Sequence, residues 1–333
     1  MLRQTSFLGF ASDVLDSLQV MRIGVDGDSA LEEVSRASIL HMANAYAHAS
    51  GFESSNLRPR DLRIVDATFE PTVAVRLFCI LVNVPPARCL IFPDQVLLLI
   101  DAGADDALDK FKRHLTQLQG PFELRALETA LWQCTFTLEK LRGAQADALQ
   151  RIRARSDVDH IEAALRECDK QIAHIKSLSS QCRGALQDLS TDDADMALVN
   201  LSRVAAEPEL FRRPHDEWDW RHTEVEILLE AYTQALTATY NKLDFLAQDV
   251  ESDLRKSRIR RVSWRNRMIR LETFMRGLTA SAGVGSLVAA IFGMNLTSGL
   301  ASEPDIFWPL FISLVAVVLV IFVAAIWVIN EEG

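Results

Sequence analysis

Two uncharged stretches at the C-terminal end constrain this chain more than anything else in it, one from Gly277 to Met294 and the next from Ile306 to Ile329. About 20 apolar residues at 1.5 Å each match a hydrocarbon core of about 30 Å, and in lipid a helix is the only open element that satisfies its own backbone. The pair is expected to form a helical hairpin across a membrane, with polar residues at its bend.

The chain ahead of Gly277 is long enough for a substantial core of its own, so the two parts must be read separately. A mean hydropathy of +0.08 describes neither part, because the C-terminal stretches inflate it. The formal charge of -10 argues against nucleic acid as a partner, since neutralising phosphates requires a net basic surface. The five cysteines show no Cys-x-x-Cys spacing and have no histidine at zinc-finger distance, which fits buried thiols in a reducing compartment. No Gly-x-x-x-x-Gly-Lys-Ser/Thr loop is present, and the seven histidines form no His-Glu-x-x-His setting, so an enzyme is not expected. The N-terminal run from Met1 to Phe10 carries one base and no sustained apolar core, unlike a signal peptide or an Arg-rich presequence.

Residues 1–120 read as an α/β domain, giving an α+β class when combined with the helices that follow. A helix is expected over Ser29–Ala49, and strands are expected at Leu62–Val65, Val73–Val84, Arg88–Phe92 and Val96–Ile100, punctuated by Pro71, Pro85-Pro86, Pro93-Asp94 and Gly103. The segment 36–56 has no function that its residues disclose. Residues 121–214 read as long helices, because no proline falls between Phe122 and Pro208 and only Gly143 and Gly184 interrupt the pattern. Between Pro214 and Gly277 there is neither Pro nor Gly. Val225, Leu229, Tyr232, Leu236, Tyr240, Leu243, Leu246 and Val250 there share one helix face. A stalk helix over 215–296, roughly 90 Å long before the membrane, is expected to continue into the first span at about 274–296. Its apolar face can pack against copies of itself or against the Phe122–Leu189 helices; both contacts are expected.

Nine bases, Arg255, Lys256, Arg258, Arg260, Arg261, Arg265, Arg267, Arg270 and Arg276, stand against Glu272 alone. This block puts its flank, and with two spans both termini, on the cytosolic or matrix side, and it suits anionic membrane lipids. The loop 297–305 then lies across the membrane, where Glu303 and Asp305 would attract cations. The first span is rich in small residues (Gly277, Ala280, Ser281, Ala282, Gly283, Gly285, Ser286, Ala289, Ala290), which let helices approach closely. The second is bulky, with Trp308 and Trp327 near its ends, as befits a lipid-facing helix.

Gly293-Met294-Asn295 at the end of the first of two C-terminal spans resembles the signature of CorA-type magnesium channels. Arg60-Asp61-Leu62-Arg63, the run Pro121 to Glu128, Asp192-Asp193-Ala194-Asp195-Met196 and the run Glu226 to Tyr232 resemble its eukaryotic branch, in mitochondria, plastids and other membranes. The resemblance spans roughly residues 60–329. It implies a homopentameric funnel with five first spans lining a pore, and Gly293, Met294 and Asn295 forming the selectivity filter. Asn295 would face the outer side, the Gly293 carbonyl would lie beneath it, and Met294 would fix the bend. It also implies an inner constriction near Arg265, Met268 and Ile269, where Ile269 stands in place of the family's more frequent methionine. Magnesium is then the transported ion and a candidate regulatory one, with Asp192, Asp193 and Asp195, or Asp101, Asp105, Asp106 and Asp109, as candidate sensors. The resemblance points to the mitochondrial inner membrane first, with plasma, vacuolar and plastid membranes open. A broader cobalt, nickel or calcium channel and a non-conducting coiled-coil tether are the competing readings.

Overall fold

The computed structural model describes residues 17–100, 105–154, 158–213, 222–293 and 307–331. The chain divides into two compact units, Met1–Glu251 and Ser252–Gly333.

In the first unit a six-stranded sheet is built from β1 (Ser17–Gly24), β2 (Ser29–Ser35), β3 (Thr72–Arg76), β4 (Cys79–Val84), β5 (Ala87–Ile91) and β6 (Gln95–Leu99). Its order is β2-β1-β6-β5-β4-β3, and every pairing is antiparallel. Every residue of β4 and β5 is buried, so the sheet centre is covered on both faces. One face carries Leu81, Leu90 and Leu97, packed with Ile39 and Ala43 of α1 (Arg36–Ala49) and with Leu62 and Val65. Against β4 and β5 also lies α3 (Phe122–Arg153), preceded by α2 (Asp105–Gln117). Each fully buried Val, Leu or Ile side chain stabilises by about 1.5–3 kcal/mol, so this central layer dominates the unit.

Three sequence expectations change here. Leu62–Val65 is not a strand but part of a 3-10 turn, Asp61–Val65, in which the buried Leu62 and Val65 stand three residues apart. The Asp61 carboxylate starts the turn, accepting the Arg58 N–H at 2.9 Å and pairing with Arg76 at 3.3 Å. Ser29–Ala49 is not one helix: β2 occupies its first part, and α1 begins only after Ser35, whose Oγ caps it by accepting the Ser38 N–H at 3.1 Å. β1, which pairs with β2 from Ser17↔Ser35 to Ile23↔Ser29, was not expected. The anticipated run Val73–Val84 is split by a tight turn at Leu77-Phe78. Phe78 adopts φ +65, and its ring enters a second core with Ala47, Ala197, Val204 and Phe211.

The helical half opens with two long helices. α3 and α4 (Val158–Ser190) run through Gly143 and Gly184, where nothing lies within 4 Å of a notional Cβ. Three short helices follow: α5 (Asp193–Leu198), α6 (Leu201–Ala206) and α7 (Pro208–Phe211). The helix α8 spans Thr223–Gly293, 71 residues. Of its anticipated apolar face, Val225, Leu229, Leu236, Leu243 and Val250 are buried, and Tyr232, Tyr240 and Leu246 are half-buried. Packing within the chain is the contact observed. Ser179 of α4 donates to the Leu236 carbonyl at 3.3 Å, Lys176 pairs with Asp244 at 2.5 Å, and Glu139 of α3 meets Lys242 at 3.2 Å.

In the second unit the later half of α8 runs beside α9 (Phe307–Glu331). Phe274 meets Phe322 edge to face at 5.5 Å, and a Cβ added at Gly285 would lie 3.6 Å from Val318. As α8 advances from 274 to 285, its neighbours on α9 go back from 322 to 318, so the two helices are antiparallel. Among the described residues, no helix is long and apolar enough to cross a membrane.

Candidate functional site

The motif Gly293-Met294-Asn295 begins where α8 ends. Gly293 is the last described residue of α8, and Met294, Asn295, Glu303 and Asp305 lie outside the described residues. The last four carbonyls of a helix have no intrahelical partner, and the helix dipole makes that end partially negative. Oxygens of this kind suit a hard cation, which takes oxygen ligands or binds through its water shell.

Upstream, hydroxyls of α8 are spent on its own backbone. Thr273 donates to Ile269 O at 2.9 Å, Thr279 to Met275 O at 2.9 Å, and Ser281 to Gly277 O at 3.0 Å. A hydroxyl that returns to its own helix needs no polar neighbour, which suits an apolar medium. One turn of helix places Arg265, Met268 and Ile269 within a sector of about 100°. All three are exposed, Met268 at 59% and Ile269 at 48%.

The acidic run near 192 has defined local work. Asp192 is the N-cap of α5, its Oδ1 accepting the N–H groups of Ala194 at 3.0 Å and Asp195 at 3.2 Å. Asp193 faces His222 at 3.8 Å. Of the second acidic run, Asp101 and the Asp105 side chain lie outside the described residues. Asp106 is paired with Lys110 at 2.5 Å, and this hydrogen bond holds its carboxyl below the usual carboxylate range. Among the described residues, no group of three His, Cys, Asp or Glu side chains is arranged to hold a metal.

Glu123 is a buried anchor that the sequence alone does not single out. It is completely buried at the start of α3, where it accepts the N–H of Ser202 at 2.9 Å and also the Ser202 hydroxyl, tying α3 to α6. Its signal was a carboxylate directly after Gly120-Pro121-Phe122, a position otherwise fit for the acidic first turn of any helix.

Comparison with known proteins adds four findings. A family model described as magnesium transporter MRS2-like matches residues 35–255. The mitochondrial inner membrane magnesium transporter mrs2 of Schizosaccharomyces pombe is 27% identical over 274 residues, covering 77% of this chain; the chain spans 63% of that relative's length. Magnesium transporter MRS2-7 of Arabidopsis thaliana is 26% identical over 328 residues, covering 82% of this chain and 81% of its own. Among solved structures, the CorA magnesium transporter of Methanocaldococcus jannaschii superposes with a TM-score of 0.57 at 13% identity, covering 95% of this chain and 98% of that one, which establishes a shared fold.

Proposed function

This chain belongs to the MRS2-like magnesium transporter family, and we propose that it is a passive magnesium channel that spans its membrane twice, over about 274–296 and 306–329. The observation that supports the proposal is the sequence Gly293-Met294-Asn295, whose first residue closes the described part of a 71-residue helix.

Magnesium surrenders its octahedral water shell reluctantly, so a filter works best on the hydrated ion. A ring of Asn295 amide oxygens, one from each copy, would accept hydrogen bonds from those waters without binding the ion too tightly to leave. Carbonyls at the C-terminal end of this helix, Gly293 included, would add partial negative charge. Glu303 and Asp305 on the outer loop would raise the local cation concentration. Two charges crossing 100 mV correspond to about 4.6 kcal/mol, enough to drive uptake without a nucleotide.

The chain is proposed to assemble with itself, with α8 inside and α9 outside, as the pentamer its resemblance implies. Arg265, Met268 and Ile269 would form the inner constriction. The termini would lie on the matrix side of the mitochondrial inner membrane, the membrane for which the fission-yeast relative is named.

The test is flux. The full chain, reconstituted in liposomes containing a magnesium indicator, should admit magnesium under an inside-negative potential, and Asn295→Ala should abolish the selectivity for magnesium over calcium, cobalt and nickel. Equal entry of all four ions into wild-type vesicles would favour the broader channel. Silence of both proteins, with folded oligomer verified, would favour a tether.

A further inference from the structure

Two of the five buried cysteines touch each other. The thiol of Cys134, on α3, donates to the sulfur of Cys182, on α4, at 3.6 Å, and both side chains are buried. The others are directed elsewhere. Strand alternation places Cys79 with Leu81 and Cys89 with Val82, on opposite faces of the sheet, and the Cys168 thiol meets the Gln145 side-chain oxygen at 3.6 Å. The contact follows from the register of two long helices. From Cys134 to Gln145 α3 runs forward while the partners on α4 run back from Cys182 to Cys168, so the helices are antiparallel and the two thiols lie on their mutual faces. Ser179, one turn before Cys182, donates to the Leu236 carbonyl of α8, and Leu138, one turn after Cys134, is fully buried. The pair therefore sits beside the place where α8 is seated on this helical hairpin.

A disulfide bond is about 2.05 Å long, so each sulfur needs to travel only about 0.8 Å toward the other, a small rotation about its Cα–Cβ bond. Reactivity sets a second condition. Contact with the Cys182 thiol, together with burial, pushes the Cys134 thiol well above its ordinary range, so this sulfur rests protonated and reacts slowly. An oxidant that reaches the pair must enter between packed helices, which favours a small neutral peroxide over a bulky charged disulfide such as oxidised glutathione.

We propose that Cys134 and Cys182 form an oxidative modification site, closed to a disulfide by hydrogen peroxide, that clamps α3 to α4 beside the seat of α8. One sulfur gives up its proton and attacks a peroxide oxygen; the O–O bond breaks, a sulfenic acid forms and water leaves. The second sulfur, also losing its proton, attacks the sulfenic sulfur; the S–S bond forms, the S–O bond breaks and a second water leaves. Two thiols are oxidised by two electrons, and one hydrogen peroxide is reduced to two waters. The site stands on the first unit alone and is independent of ion conduction.

The test uses the full chain in detergent, fully reduced and then treated with hydrogen peroxide. After unfolding in urea with iodoacetamide, peptide mass mapping should find one cross-link, between the Cys134 and Cys182 peptides, with Cys79, Cys89 and Cys168 alkylated. Oxidised glutathione should form the same link more slowly. Because the link closes a loop across 48 residues, it should raise the melting midpoint by about 5–10 °C, and dithiothreitol should return the midpoint to its starting value. Cys134→Ala and Cys182→Ala should each abolish the gain, whereas Cys168→Ala should gain as wild type does. The wild-type map decides the site on its own should an alanine variant not fold. A mixture of linkages, both thiols still alkylated after peroxide, sulfinic acids without a link, equal rates with the two oxidants, or a link that leaves the midpoint unchanged would each overturn the proposal.

Discussion

Phe78 offers a test in which the usual ranking of two substitutions disappears. It is completely buried, stacks edge to face with Phe52 at 5.7 Å, and holds the second core together from a backbone at φ +65. Truncation to alanine removes a buried aromatic ring, at a cost of about 3–5 kcal/mol. Glycine loses one more methyl, about 0.8 kcal/mol, and adds about 0.5–1 kcal/mol of chain entropy. At an ordinary position glycine would therefore be worse than alanine by about 1.5 kcal/mol. In the left-handed region alanine carries a penalty of about 1–2 kcal/mol that glycine escapes, so the two variants should fall within about 0.5 kcal/mol of each other. Phe92 is equally buried and does not have a positive φ, and it supplies the control: there the glycine variant should lie well below the alanine variant. Urea unfolding of residues 1–251, followed by tryptophan fluorescence, gives the four free energies. A gap at position 78 as large as that at 92 would refute the backbone argument, and a cost under about 1 kcal/mol for Phe78→Ala would refute its role in the core.

Other perturbations probe separate links. Gly51 has φ +76, and a Cβ there would run into the Arg212 guanidinium, which donates to the Gly51 carbonyl at 2.6 Å. Gly51→Ala should cost about 1–2 kcal/mol in the same unfolding assay, and an Arg212→Ala background should remove only the part due to the clash. Burial opposes ionisation of Asp61, but the Arg58 N–H and the Arg76 guanidinium prevail and hold its carboxyl below the usual range. A depressed carboxylate contributes stability above its unfolded pKa, near 4, and loses it as pH falls through the folded value. Asp61→Asn should therefore flatten the acid limb of a stability–pH curve measured from pH 6 down to pH 2, and an unchanged limb would count against the pairing. All five cysteines are free and buried, and burial pushes the Cys89 thiol up to about 12 and the Cys79 thiol higher still. A maleimide should label almost none of them in the native chain at pH 7 and all five in urea; rapid native labelling would show the packing to be wrong.

What could be read directly from the sequence was whatever local chemistry decides. Pro85-Pro86 and Pro93-Asp94 bound strands where they stand, and the helices α3 and α4 follow from proline-free, 3.6-period segments that tolerate Gly143 and Gly184 because space is open there. Ala30, Leu31, Glu32 and Glu33 are good helix formers, yet they lie in β2 because β1 pairs with them; a tertiary contact overrides local preference. So short an apolar run as Leu62–Val65 carries no period that would separate a strand from a 3-10 turn. At the site, Gly293-Met294-Asn295 is legible as a motif by its residue types and by its place at the end of an uncharged stretch. The pairing of Glu123 with Ser202, 79 residues away, and of Lys176 with Asp244, 68 away, was not, because distant partners are chosen by the packing of the helices between them.

The N-cap at Asp192 sets a condition on any cation that approaches the acidic run beside it. Its Oδ1 already serves the amides of Ala194 and Asp195. An ion that recruited this oxygen would take it from α5, whose first turn would lose about 1 kcal/mol of support and weaken the binding about fivefold. Ion occupancy and the winding of α5 would then be two readouts of one equilibrium, and because α5 lies against β3, the edge of the sheet would register the ion as well.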